Sequence, residues 1–477
     1  MKKGDYNSLF SILIFVIGND KKLAKTTLDI KTSEKLRFSI RDIVFIPLCF
    51  LLISLVFFLF SYLYFPIVFD IFIMINLGLQ IISFFNIILF GYITLLIKPK
   101  KYQPPKEYPA ISIVIAVYND GKILNETLKN LVNLKYPHYN IIIVYSEKST
   151  DNTYEIAEYY TDNYDFIRMI PENISAANAK NIGFENSTSK YVLVLDSDTY
   201  IKDGFLEDAV AAMEYDEDLV VIQARNLGLN TNQNRITRVL WCLNTFTTFF
   251  LNGTNKIFKV PCYRGYGAIW RRNFVLEAGK FSLNELLEDF EFCYRIMANY
   301  PKRKALYYND YDVYDYFPTT LKDLYFQQLR WIRGAISLNI RYFFSFKKTS
   351  MKYHIVFFYN FLYGVFIPLI GFISLGMYII QFFLSFIIQR TFLSLGSFLL
   401  YFGVIVVIFT FIGYYNYASA AYSKVLSRRD LLYGIIIIMI FLSPIYGVIV
   451  TNAMWKNLKR EKKQFVKVSK ENFRVNA

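Results

Sequence analysis

Hydrophobicity along this chain comes in blocks that bracket a long, mixed middle. Residues 43–97 are almost continuously apolar, interrupted at Pro66 and Asp70. A helix rises about 1.5 Å per residue and needs roughly 20 residues to cross hydrocarbon, so this block predicts a two-helix hairpin. Its turn is expected at Pro66 to Asp70, with Asp70 exposed there. Apolar blocks at 354–388, 391–414 and 431–454 predict three or four further crossings, with Pro368 leaving open whether the first crosses once or twice. Leu9–Ile17 is too short to span and lacks a small-residue cleavage site, and it reads as an interfacial helix.

Basic residues set the orientation. Lys21, Lys22, Lys25, Lys31, Lys35, Arg37 and Arg41 precede the hairpin, and Lys98, Lys100, Lys101 and Lys106 follow it. Both ends of the hairpin are therefore expected in the cytoplasm, together with everything up to the next apolar block. Lys456, Lys459, Arg460, Lys462 and Lys463 favour a cytosolic tail, whereas Arg428 and Arg429 pull the other way. The expected division is a cytosolic segment 1–42, the hairpin 43–97 and a soluble domain 108–318. An amphipathic interface region 319–352, membrane helices within 354–454 and a basic tail 455–477 complete it.

Within 108–318 the pattern changes to short β-rich runs alternating with helical spacing. Ile111–Val117 is a strand, followed by a helix through Ile123, Leu124, Leu128, Leu131 and Val132. Asn140–Val144, Phe166–Ile170 and Tyr191–Leu195 are further strands, with helices from about Asn152 and near Ala176–Glu185. Such alternation predicts an α/β domain with a mostly parallel sheet, whose ligands bind beyond the carboxyl ends of the strands.

Composition removes several function classes. The 477 residues are 54% hydrophobic and 19% aromatic, above the range of soluble domains. Only His138 and His354 are present, which disfavours histidine catalysis and a His-based metal centre and leaves proton transfer to carboxylates. Cys49, Cys242, Cys262 and Cys293 show no metal-ligand spacing. The net charge of +15 lies largely beside apolar runs, which reads as juxtamembrane charge on membrane lipid and not as a nucleic-acid surface.

Three groups of residues carry candidate chemistry. Asp196-Ser197-Asp198 follows a fully apolar strand, and in an extended segment both carboxylates face one side, toward one cation. Mg²⁺ favours one or two carboxylates plus substrate phosphates. Alone the motif is weak, because about three acid-x-acid pairs arise by chance in such a chain. Glu288-Asp289 opens a helical segment, Asp289–Met297, and Asp289 is the candidate base for a sugar hydroxyl. Gln327, Arg330 and Trp331 fall at i, i+3 and i+4 on an amphipathic helix with Arg333 and Arg341 on its polar side, expected at the inner membrane surface. Arg330 suits diphosphate oxygens and Trp331 suits a sugar ring.

In order and separation these motifs resemble the family 2 membrane glycosyltransferases, which include hyaluronan, cellulose and chitin synthases. The resemblance covers residues 110–335 and extends loosely to the helices on both sides. Ile111–Asp120 looks like the family's opening strand, and Glu147-Lys148-Ser149-Thr150-Asp151 like its nucleotide-proximal acid-Gly-Ser-x-Asp segment. Asp196-Ser197-Asp198 matches its metal motif, Leu287-Glu288-Asp289 its Thr-Glu-Asp, and Gln327 to Trp331 its Gln-x-x-Arg-Trp. Gly265-Tyr266-Gly267-Ala268 followed by Arg271-Arg272 is similar to its acceptor-side loop.

That resemblance implies an α/β GT-A (Rossmann-like) cytosolic catalytic domain inserted between N- and C-terminal transmembrane helix bundles in the cell membrane. It implies that Glu147 contacts the uracil base, that Asp196 and Asp198 hold the diphosphate through Mg²⁺ or Mn²⁺, and that Gln327 and Arg330 bind the donor. Asp289 is then the base, with Trp331, Glu288 and Gly267 on the acceptor side. The Gln-x-x-Arg-Trp motif points to an inverting synthase that extends a β-linked polysaccharide from a UDP-sugar and exports it. A transferase adding one sugar to a membrane lipid would share every catalytic residue. The sequence departs from the family pattern at Glu147 (usually Asp), Lys148 (usually Gly), Leu287 (usually Thr) and Lys280 (usually Gly), which puts the donor base and the acceptor loop in question.

Overall fold

The structure is a computed structural model that describes residues 100–173, 175–260, 265–343, 351–361 and 443–462. It also describes a parallel strand pair, Asp29–Thr32 with Gln464–Lys467, and isolated positions in the apolar blocks. The hairpin expected at 43–97, the interfacial helix at Leu9–Ile17 and most of the apolar blocks within 354–454 lie outside the described residues. Among the described residues no helix is long and apolar enough to cross a membrane.

The α/β domain forms as its sequence pattern predicts. Strands β1 (Ile111–Val117), β2 (Tyr139–Ser146), β3 (Ile167–Glu172) and β4 (Tyr191–Asp196) alternate with helices α1 (Gly121–Leu131), α2 (Thr153–Asn163) and α3 (Ala176–Asn186). After them come β5 (Tyr200–Ile201), α4 (Phe205–Tyr215), β6 (Leu219–Gly228), α5 (Arg235–Phe258), β7 (Ala268–Arg271) and α6 (Arg272–Glu277). Helix α7 (Glu288–Asn299), β8 (Lys304–Asp315), α8 (Leu321–Tyr342), α9 (Met351–Phe361) and α10 (Ser443–Leu458) complete the described elements.

The eight domain strands form one sheet in the order β3-β2-β1-β4-β7-β6-β8-β5. The first four run parallel, with Ile113 opposite both Ile141 and Leu193. Strand β7 enters antiparallel between β4 and β6, and β8 runs parallel to β6. Parallel strands covered on both faces need apolar side chains on both, which is why β1, apart from Ser112, and β4 up to Asp196 are hydrophobic runs. Ile111, Ile113 and Ile115 bury into one core with Leu124, Leu128, Tyr160 and Phe205. Val114, Val192 and Val194 point the opposite way, into a second core with Phe184, Phe274 and Phe292. The chain leaves β1 toward β2 and β3 on one side and returns through α3 to β4 on the other. The reversal opens a crevice beyond the carboxyl ends of β1 and β4, the usual ligand position in such sheets.

Helix α8 corrects one expectation. Thr320 caps it, its hydroxyl accepting the Asp323 N–H at 3.1 Å. Tyr325, Phe326, Leu329, Ile332 and Ile336 pack against Ile449, Val450 and Ala453 of α10. Leu338 packs on the far side with Leu287, Tyr294, Tyr353 and Phe357. Arg333 is consequently buried instead of lying on a solvated polar side. Its guanidinium donates to Asn457 Oδ1 at 3.0 Å, to the Lys462 carbonyl at 3.2 Å and to the Glu461 carbonyl, just past the end of α10. Arg341 pairs with the buried Glu285 at 2.6 Å.

Glycine lets α3 lie close on the sheet. A Cβ at Gly183 would stand 2.2 Å from Val114 Cγ1, too close for any side chain. Gly183→Leu should lower stability by about 1–3 kcal/mol through overpacking. Gly183→Ala combined with Val114→Ala should recover most of the melting temperature lost in Gly183→Ala alone. An uncompensated double variant would show that the contact does not set the helix–sheet distance.

Candidate active site

Three segments meet at the crevice. Asn119, in the turn after the first strand, takes a left-handed conformation (φ 50°), and its side-chain oxygen accepts the Thr150 N–H at 2.6 Å. The Asp151 carboxylate accepts the Gly121 N–H at 3.0 Å, and Asp120 accepts the Ser197 hydroxyl at 2.7 Å. The β1–α1 turn, the segment 147–151 and the acidic turn after β4 are thereby tied together. Glu147 is exposed at the rim and accepts the Asn173 side-chain amide, while the Lys148 ammonium donates to the Asn173 carbonyl. Sequence reasoning did not single out Glu172, a buried carboxylate that accepts the Ser175 N–H at 2.6 Å and the Asn178 amide at 3.1 Å. Its capping pattern, an acid just before a Ser-initiated helix, was the available signal.

Asp196 and Asp198 do not lie in an extended segment, so alternation along a strand is not what relates them. Asp196 is the last residue of β4, and a turn follows in which the Thr199 N–H donates to the Asp196 carbonyl at 3.1 Å. The Asp196 N–H donates to the Thr199 hydroxyl at 3.1 Å. Asp198 is buried, and its carboxylate accepts the Tyr316 N–H at 3.3 Å. Among the described residues no group of three or more His, Cys, Asp or Glu is arranged to hold a metal. Two carboxylates on one turn are the kind of donor set that suits a divalent ion completing its shell with substrate phosphates.

The chemistry-bearing charges cluster at the N-terminus of α7. Leu287 precedes the helix, and Glu288 and Asp289 are its first two residues, where the helix dipole favours negative charge. Asp289 Oδ1 accepts the Phe290 N–H at 2.8 Å. Across from it stands a residue that sequence reasoning missed. Lys180 of α3 is buried, and its ammonium donates to Glu288 Oε1 at 2.9 Å. Arg330 of α8 reaches in from a third element and donates to the Leu286 carbonyl at 3.3 Å.

Close backbone contacts hold this cluster together. A Cβ on Gly265 would meet Asp289 Oδ2 at 2.9 Å and Lys180 Nζ at 3.0 Å, so this loop passes directly over both charges. A Cβ on Gly334, one turn beyond Arg330, would meet Leu287 Cγ at 2.6 Å, which shows how tightly α8 presses on the start of α7. Gly267 takes φ 69°, and its N–H donates to the Val194 carbonyl at 2.8 Å.

These neighbours divide the carboxyl groups. Burial, then the Glu288 charge, push Asp289 up to about 6, against the opposing pull of Lys180, the Phe290 N–H and Arg330. Burial also opposes the Glu288 charge, but Lys180 overrides it and holds Glu288 below the ordinary carboxylate range. Burial opposes the Lys180 charge as well, yet Glu288, Asp196 and Asp289 keep it above the usual lysine value. For Arg330 burial dominates and draws it below the usual arginine value, with Glu288, Asp289 and Asp196 opposing. One carboxylate is committed to a cation, and the other is a weak base near neutrality. Gln327 is half-buried one turn before Arg330. Trp331, turned about 100° further round the helix, is 41% exposed.

Comparison with known proteins places the α/β domain in a family. Residues 112–275 match the family described as glycosyl transferase family 2. The chain is similar to the probable glycosyltransferase YdaM of Bacillus subtilis (strain 168), with 28% identity over 281 residues, 56% of this chain and 66% of that protein. It is also similar to the poly-beta-1,6-N-acetyl-D-glucosamine synthase of Staphylococcus aureus (strain COL), with 27% identity over 253 residues, 51% of this chain and 59% of that protein. The chain thus spans less than two thirds of the length of these two relatives. In fold it is similar to the mannosyltransferase PcManGT from Pyrobaculum calidifontis, in complex with GDP-Man and Mn²⁺. The TM-score is 0.53 at 15% identity, over 82% of this chain and 99% of that one.

Removing Lys180 leaves Glu288 buried without its cation. Lys180→Met should cost about 3–5 kcal/mol in denaturant unfolding, and Lys180→Met/Glu288→Gln should recover most of that loss. Equal stability of Lys180→Met and the parent would show that the pair is not an energetic unit.

Proposed function

Because this chain carries a family 2 glycosyltransferase domain of the GT-A fold, we propose that it transfers a sugar from a UDP-sugar donor to a growing β-linked polysaccharide, with inversion at the anomeric carbon. Supporting this reading is one observation above all: the Glu288–Asp289 pair at the start of α7 meets the Lys180 ammonium of α3 at 2.9 Å and Arg330 of α8 reaching the Leu286 carbonyl beside it, while Asp196 at the end of β4 acts on both cations. The relatives named for poly-beta-1,6-N-acetyl-D-glucosamine synthesis support a polymeric product. We further propose that the apolar blocks at 43–97 and within 354–454 anchor the enzyme in the cell membrane, with its catalytic domain cytosolic and the polymer exported between them.

In this mechanism Asp289 removes the proton of the acceptor hydroxyl as its oxygen bonds to the anomeric carbon. The bond from that carbon to the diphosphate oxygen breaks on the opposite face, and its electron pair leaves with the nucleotide diphosphate. Arg330 forks onto the diphosphate, Gln327 assists it, and Glu147 accepts an N–H of the uracil base at the rim. Asp196 and Asp198 would hold Mg²⁺ or Mn²⁺, which when bound neutralises the leaving group. Gly267 and the exposed Trp331 serve the acceptor sugar.

Membranes containing the chain, incubated with single radiolabelled UDP-sugars, should accumulate a high-molecular-weight product. A single-sugar lipid would establish the lipid-acceptor transferase instead. EDTA should stop transfer, and Asp198→Ala should weaken UDP binding only when Mg²⁺ or Mn²⁺ is present.

Asp289→Asn should reduce kcat by at least about a hundredfold while UDP binding with Mn²⁺ persists. The base must be ionised, so transfer should rise with pH through about 6 and then level off. Activity that stays flat from pH 5 to 7 would remove Asp289 from the role.

A further inference from the structure

Lys180 stands between two carboxylates of the same helix turn. It donates to Glu288 Oε1 at 2.9 Å. It also lies beside Asp289, because one point, the Cβ position of Gly265, is 3.0 Å from its ammonium and 2.9 Å from Asp289 Oδ2. Those two atoms are therefore within about 6 Å, the range over which an opposite charge steers a carboxyl group. A buried ammonium takes a carboxylate partner wherever it can, since an unpaired buried charge is strongly disfavoured. Glu288 is the partner it has taken. The charged groups facing Asp289 are Glu288 on its own helix, Lys180 from α3 and Arg330 from α8, with Asp196 at the end of β4 facing both cations.

We propose that Glu288 is a positioning residue that occupies the Lys180 ammonium and so keeps it from pairing with Asp289, leaving the base free to take the acceptor's proton. This rests on the reading of Asp289 as the base. It gives Glu288 a role other than gripping the acceptor sugar, and gives Lys180 a place in the site. Without Glu288, the ammonium, which already pulls on Asp289, is released to pair with it. A carboxylate paired in this way is a weaker base and presents its oxygens to the cation instead of to the incoming hydroxyl.

The test compares the full-length, detergent-solubilised parent with Glu288→Gln and Lys180→Met/Glu288→Gln. With a UDP-sugar donor, Glu288→Gln should lose at least about tenfold in kcat with a smaller change in donor KM. Its acid limb should lie below that of the parent. Removing the stranded ammonium in the double variant should restore most of the rate. A double variant no faster than Glu288→Gln overturns the proposal.

A second readout needs no turnover. In the parent, the folded protein holds the Asp289 proton to about 6 against an ordinary 3.8, so the unfolded chain loses that proton first. This contribution to stability therefore falls as pH rises from about 4 to 6. In Glu288→Gln the freed Lys180 should pull Asp289 down and remove that fall from the pH 5–6 window of melting temperatures, and the double variant should regain it. Identical slopes in Glu288→Gln and the parent overturn the proposal. Failure of the parent to use any nucleotide sugar would defeat the proposed activity, while the melting comparison still decides the pairing.

Discussion

Everything at this site depends on gathering Lys180, Glu288, Asp289 and Arg330 together, the lysine buried and the other three largely shielded from water. Moving a single charge of this kind out of water costs several kcal/mol, and no one of these residues has a local partner on its own element that balances it. Lys180 belongs to α3, the two carboxylates to α7 and Arg330 to α8, so balance exists only when the three helices meet. The domain core can form without α8, because its two hydrophobic clusters are built from the sheet and its own helices. The charge cluster cannot. Chemistry and the docking of α8 are therefore one requirement, and a chain that misplaced that helix would leave two buried carboxylates with a single cation between them.

Glycine supplies the geometry that such convergence needs. Gly183 lets α3 approach β1, and Lys180 lies one turn before it on the same helix. Gly334 does the corresponding work on α8, one turn after Arg330. Each catalytic-helix cation is thus paired with a close-approach glycine three or four positions away, on the same face by helical spacing. Gly265 closes the arrangement from above, its bare backbone passing where a side chain would strike both Asp289 and Lys180. Electrostatic balance fixes which elements meet, and the missing side chains fix how near they come.

Much of this was legible in the residues. The alternation of short β-rich runs with helical spacing announced a mostly parallel sheet, and the acidic motif after β4 announced the crevice. Glu288-Asp289 and Arg330 stood out because charged residues flank apolar helical spacing there. Lys180 did not stand out. It lies in Ala176-Ala177-Asn178-Ala179-Lys180-Asn181, where short side chains give no clear apolar stripe and a lysine reads as solvated. Only its partner, far along the chain, makes burial tolerable, and no local pattern encodes that. Arg333 was misread for the same reason. Its partners are the carbonyls and amide at the end of α10, an element separated from α8 by the apolar blocks, so helical periodicity placed it on a polar face that another helix covers. The turn at Asp196 to Thr199 was hidden by the strand before it, since alternation predicts direction only while the chain remains extended.

Helix α8 is therefore a shared wall. The face bearing Gly334 presses on Leu287 beside the charge cluster, and Arg330 reaches the Leu286 carbonyl. The face bearing Tyr325, Leu329, Ile332 and Ile336 packs on α10, where Asn452 donates to the Tyr325 hydroxyl at 2.9 Å and Asn457 donates to the Arg333 carbonyl at 3.0 Å. Helix α10 ends the last apolar block of the sequence. On the reading proposed above, a single rigid element joins the place where the glycosidic bond forms to the segment that anchors the enzyme in the membrane. Arg330 and Arg333, three positions apart, divide the task. One reaches the Leu286 carbonyl beside the charge cluster and the other clasps the end of α10, and sliding α8 to suit either would disturb the contacts of both.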